Sequence, residues 1–147
     1  MKLLKPNASF GNAFFVVTSI MFLFFLGSCA TKAPFQTSTV VPAAKGSVKV
    51  KKDNNNNYVI KIDIVNLAEP QRLQPSRNTY VVWMETSGGK TKNIGQIDSS
   101  TGFLSKKLKA SFETVSPVKP DRIFITAEDD ATIQYPVGEK VLTTGSI

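Results

Sequence analysis

From Gly46 to the C-terminus, apolar and polar residues alternate along the chain. Val48 and Val50 are flanked by Ser47, Lys49 and Lys51, and Ile60, Ile62 and Ile64 are separated by Lys61 and Asp63. A period of two places successive side chains on opposite faces of a strand, one buried and one wet. The same pattern predicts strands over Tyr80–Glu85 (the segment richest in β-formers), Lys92–Ile97, Asp121–Ala127 and near Lys140–Thr144. A further strand starts at Leu104. It turns Leu108, Ala110 and Phe112 inward and Lys107, Lys109 and Ser111 outward, with Lys106 as an exception at an inward position.

The breaks are as informative as the runs. Asp53 and Asn54–Asn57 predict a hairpin turn, and Ser87-Gly88-Gly89 supplies left-handed positions for a second one. Pro70, Pro75, Pro117 and Pro120 mark longer connections. Seven or eight short strands with no helical period among them predict an all-β domain over residues 46–147. An immunoglobulin-like antiparallel β-sandwich is the expected architecture, because two sheets can bury each other's apolar faces. An open barrel is the competing one.

The front of the chain has a different texture. Lys2 and Lys5 precede Phe14–Leu26, 13 residues in which only Thr18 and Ser19 are polar. As a helix this run would extend roughly 20 Å, short of the ~30 Å hydrocarbon core of a bilayer. Leu26, Gly27, Ser28 and Cys29 then follow, and this pattern resembles the lipobox of a bacterial lipoprotein signal peptide. The resemblance implies diacylglyceryl transfer to the Cys29 sulfur, cleavage after residue 28, and acylation of the new amine. Two or more acyl chains hold a protein stably on a membrane without a spanning helix. An ordinary secretory signal and an uncleaved helix over Ala8–Ala30 are the competing readings. Residues 29–45 read as the lipidated cysteine and a flexible tether, since Pro34 and Pro42 interrupt a Thr- and Ser-containing stretch. An edge strand over Phe35–Val41 is the alternative.

Composition narrows the chemistry. Without residues 1–28 the chain keeps 16 Lys and Arg against 11 Asp and Glu, a formal +5 spread along the sequence. Such a surplus suits anionic headgroups or envelope polymers, and an exported protein is not expected to meet nucleic acid. Histidine is absent and Cys29 is the single cysteine. No Ser-His-Asp or Cys-His nucleophile, no Cys/His zinc site and no internal disulfide can be assembled. The expectation is a non-enzyme with no catalytic residues, no metal and no cofactor.

Four constellations remain. Trp83 is expected to pack between the sheets, with a stacking platform for a sugar or peptide as the alternative. Glu128-Asp129-Asp130 reads as a solvated turn, and with Asp121 as a possible oxygen site for calcium. Glu85 and Asp98 are formally available as a carboxylate pair. Lys106, Lys107 and Lys109, with Lys49, Lys51 and Lys52, form a candidate interaction surface toward lipid or an acidic partner. Lysines on strands also block edge-to-edge pairing.

A second resemblance is carried by Tyr80-Val81-Val82-Trp83-Met84, Gly88-Gly89-Lys90 and Ile94-Gly95-Gln96, then by Ile123–Glu128, Pro136-Val137-Gly138 and Val141-Leu142. This series is similar to the C-terminal, extracytoplasmic domain of the anti-sigma-K factor family over roughly residues 58–147. The family's cytoplasmic sigma-binding region has no counterpart here, so no sigma factor is expected as a partner. Together these readings predict an envelope lipoprotein anchored to the cell membrane or outer membrane and facing the periplasm or the cell exterior. Ala30 in place of the Asp linked to inner-membrane retention favours the outer membrane. The sandwich would bind, scaffold or sense, with an envelope protein or polymer as partner. A carboxylate- or metal-dependent enzyme and a carrier of a small apolar ligand are the competing classes.

Overall fold

The computed structural model describes residues 30–97 and 109–147. Among these residues eight strands form two four-stranded antiparallel sheets. They are β1 (Thr31–Pro34), β2 (Lys45–Lys52), β3 (Tyr58–Val65), β4 (Thr79–Glu85), β5 (Thr91–Ile97), β6 (Lys109–Ser116), β7 (Arg122–Glu128) and β8 (Lys140–Thr143). The first sheet has the order β1-β2-β3-β6 and the second β5-β4-β7-β8. β3 therefore pairs with β6, and β4 with β7, across connections that change sheet. This is the sandwich the alternation predicts, and not a barrel.

The two predicted hairpins form as their residues require. Asp53 Oδ1 accepts from the backbone N–H groups of Asn55 and Asn57, both at 2.8 Å, and Asn56 takes a positive φ of 65°. Between β4 and β5, Gly89 sits at φ 71° and donates its N–H to the Thr86 carbonyl at 2.8 Å.

Inward positions of the first sheet (Val48, Val50, Ile60, Ile62, Ile64) meet those of the second (Tyr80, Val82, Met84, Ile123, Ile125, Leu142) in one buried core. The Tyr80 hydroxyl donates to the Ala68 carbonyl at 2.9 Å, so burial leaves it partnered. Removal of the phenol from water pushes its pKa up to about 12.

The stretch expected to be a tether is built into the sandwich from Ala30 onward. β1 pairs with β2 from Thr31 opposite Val50 to Pro34 opposite Ser47. A proline is tolerated there because β1 is an edge strand. Phe35 then bridges to Thr144, and the Gln36 N–H donates to the Thr143 carbonyl at 2.9 Å, which ties the segment to the other sheet. Ser38 Oγ accepts from the N–H of Val41 at 2.9 Å, and Val41 and Ala44 are buried. The strand lies four residues before the Phe35–Val41 alternative. What overrides the loop-like composition is tertiary: β1 pairs along the edge of β2, and Ala33, Val41 and Ala44 are buried with it.

Candidate functional site

Two regions stand apart from the core. The first is the outer face of the second sheet, beneath residues 129–139. Trp83 is fully buried (0% exposed), but on this outer face and not between the sheets as expected. Strand parity sends Tyr80, Val82 and Met84 into the main core and Val81 and Trp83 the other way. A β-bulge between Val82 and Trp83 leaves Ile94 as the extra residue of β5.

Trp83 stacks on Phe124 with ring centroids 6.2 Å apart, and Ile133 closes over them. The Lys140 ammonium lies 4.5 Å from the Phe124 ring centre, a cation–π contact from the loop's end. Asn93 Nδ2 donates to the carbonyls of Ala131 (2.8 Å) and Ile133 (2.9 Å), which fixes the loop across the sheet.

A chain of hydrogen bonds holds the far side of that loop. Trp83 Nε1 donates to Thr126 Oγ1 at 2.8 Å, and the Thr126 hydroxyl donates to Glu128 Oε1 at 2.6 Å. Glu128 also accepts from the N–H of Val137 at 3.1 Å, and from that of Gly138 at 2.9 Å and 2.8 Å on its two oxygens. Glu128 is thus buried, where a solvated turn was expected. A carboxylate is tolerated because four hydrogen bonds from three donors converge on it. Gly138 packs so tightly on the Ala127 carbonyl that a Cβ would collide with it. Tyr135 (77% exposed) and Val137 (83%) stand in water at the tip of this fastened loop.

The other two acids of that run have separate partners. Asp129 accepts from Arg77 Nη1 at 2.6 Å. Asp130 accepts from the Thr132 N–H (2.7 Å) and hydroxyl (2.8 Å), and these bonds hold its carboxyl below the usual carboxylate range. Asp121 lies at the other end of β7, where it accepts from Ser146 at 2.9 Å. The four acids therefore do not converge on one point. Glu85 pairs with Arg122 at 3.1 Å, and Asp98 lies outside the described residues.

The second region is the outer face of the first sheet. Register aligns Lys45 with Val65 and Lys109, then Pro34 with Ser47, Asp63 and Ser111. The next rows are Lys32–Lys49–Lys61–Glu113 and Lys51–Val59–Val115. Lysines directly opposite one another repel, and among the described residues Lys61 is relieved by Glu113 at 3.0 Å. Of the expected lysine surface, Lys49, Lys51 and Lys109 share this face with Lys45, Lys52 falls on the opposite parity in the row of Tyr58 and Ser116, and Lys106 and Lys107 lie outside the described residues. Lys32, Lys45 and Lys61 enter the group through register, which no sequence period reports.

A shallow cleft of about 540 Å³ runs between residues 39–43 and the 68–74 loop, with Arg72 and Glu139 at its rim. It lies beside the sandwich, not between the sheets where a carrier would hold an apolar ligand. Leu26, Gly27, Ser28 and Cys29 lie outside the described residues. Among the described residues, no helix is long and apolar enough to cross a membrane. Compared with family models, with curated proteins and with solved structures, the chain matches none of them.

Proposed function

We propose that this chain is a lipid-anchored protein of the bacterial cell envelope whose β-sandwich is a binding or scaffolding module and not an enzyme. The observation that carries the reading is Leu26-Gly27-Ser28-Cys29 at the end of a 13-residue apolar run too short to span a bilayer. Acylation of Cys29 would hold the domain at the periplasmic or outer surface of a membrane. The segments that resemble the anti-sigma-K outer domain fall on the hairpin β4–β5, on β7 and on β8, and an envelope-facing sandwich is what that resemblance implies. Binding is favoured over catalysis by where the polar investment goes. Glu128 is buried, and its donors are Thr126 and the backbone of a loop that lifts Tyr135 and Val137 into water. A base poised for chemistry would instead face a cleft that a substrate can enter.

The test is direct. Wild-type protein is expected in the membrane fraction with a diacylglyceryl-modified N-terminal peptide by mass spectrometry. Cys29→Ala is expected in unprocessed or soluble form. Wild-type protein recovered with an unmodified Cys29 sulfur would sink the anchor.

A further inference from the structure

The fold sorts charge in a way the sequence does not. The outward rows of the first sheet carry Lys32, Lys45, Lys49, Lys51, Lys61 and Lys109 against Asp63 and Glu113, a formal +4. All eight side chains are exposed. The described residues as a whole hold 14 Lys and Arg against 10 Asp and Glu, also +4. The remaining described residues therefore sum to zero, 8 Lys and Arg against 8 Asp and Glu, and the net surplus equals the charge of this one face.

The first described strand, β1, is at the edge of that face. Thr31 pairs with Val50, so the outward row just beyond it is Lys51–Val59–Val115, in which Val115 is 56% exposed. Cys29 is two residues from Thr31, about 7 Å of chain at full extension. A domain joined this closely to its anchor has no spacer to lift it off the bilayer.

We infer that the outer face of the β1-β2-β3-β6 sheet lies flat on the membrane that holds Cys29, its lysines against anionic lipid headgroups and Val59 and Val115 at the headgroup boundary. This rests on acylation of Cys29. Charge complementarity selects the occupant. Unpaired cross-strand lysines, costly in an isolated sheet, become favourable beside a negative surface, where each contributes binding within a Debye length. The opposite sheet then faces away, and the loop carrying Tyr135 and Val137 points to the aqueous side.

The experiment uses the lipidated protein purified from membranes and placed in vesicles of phosphatidylcholine with or without one third phosphatidylglycerol. Amine-reactive labelling with peptide mass spectrometry compares Lys32, Lys49 and Lys51 with Lys90 and Lys92 on the β4–β5 hairpin, and the N-terminal peptide is read in the same run. The expected result is an acylated Cys29, with the face lysines labelled at least fivefold more slowly than the hairpin lysines in the anionic vesicles only. Replacing Lys49 or Lys51 by Gln should weaken binding of a chain beginning at Ala30 to those vesicles about fivefold each. Uniform labelling with an acylated Cys29 overturns the orientation and leaves the anchor standing. An unmodified Cys29 overturns the anchor, and the orientation with it. Equal protection in both vesicle types overturns the role of headgroup charge. Protection in native envelopes but not in vesicles assigns the face to an acidic protein or polymer and overturns the lipid assignment.

Discussion

Glu128→Ala tests whether the exposed loop tip is fastened from beneath. Glu128 receives one hydroxyl and two backbone N–H groups, with four contacts between 2.6 and 3.1 Å. A hydrogen bond to an ionised group contributes about 1.5–3 kcal/mol, and an orphaned buried donor costs about 1–3 kcal/mol. The Val137 and Gly138 N–H groups are only partly buried, so water can replace the carboxylate there. The Thr126 hydroxyl is buried beneath Trp83 and keeps only the bond it accepts from the indole. The net loss is therefore about 2–4 kcal/mol, a large share of a typical domain stability of about 5–15 kcal/mol. With a urea m-value of about 1–2 kcal/mol/M, the midpoint should fall by roughly 1–4 M. Trp83 is the single tryptophan and its ring lies within the network, so its fluorescence reports the transition. Glu128→Gln should lose less, about 1–2 kcal/mol, because its amide keeps one acceptor but presents a donor to the Gly138 N–H. A midpoint for Glu128→Ala within about 0.3 M of wild type, with amide exchange at Val137 and Gly138 unchanged, would refute the reasoning.

Other substitutions probe the rest of the frame. Gly95→Ala should cost about 2 kcal/mol or more by thermal unfolding, since Gly95 sits at φ 138° and a Cβ would lie 2.7 Å from the Phe112 ring. A chain beginning at Gly46 should lose about 3 kcal/mol or more relative to one beginning at Ala30, because Ala33, Val41, Ala44 and the β1 ladder go with it; equal urea midpoints would return residues 30–45 to a tether. Tyr80 has its pKa raised to about 12 in the fold against about 10 unfolded. The native state thus holds the proton longer, and its stability is intact below pH 10 and declines by about 1.4 kcal/mol per unit between roughly 10 and 12. Tyr80→Phe should remove that component of the slope in urea titrations, and an unchanged slope would contradict the burial of the phenol.

How far the sequence reaches can be traced residue by residue. Ile60, Ile62 and Ile64 declare their strand and its buried face, since parity is a local property of an extended chain. The asparagine and glycine turns declare their hairpins for the same reason, through φ preferences of single residues. β1 escaped because four residues interrupted by Pro34 carry no period, and the strand exists only where the edge of β2 is free to pair. The sequence places Trp83 among buried strand residues, but its ring lies on the outer face of the second sheet and not between the sheets. Parity separates it from Tyr80 and Val82 but cannot say which set a distant loop will cover.

Glu128 carries the same lesson at the site. Next to Asp129 and Asp130 it reads as part of a wet acidic turn, and only the return of Val137 and Gly138, nine and ten residues later, gives it donors. By itself the sequence determined the strand periods, the hairpins, the absence of histidine chemistry and the net charge of the chain. The tertiary structure alone decided which lysines share a face, which aromatic ring is capped and which carboxylate is buried. Alternation is encoded between neighbours, whereas sheet membership and register are set by contacts between residues far apart in the chain.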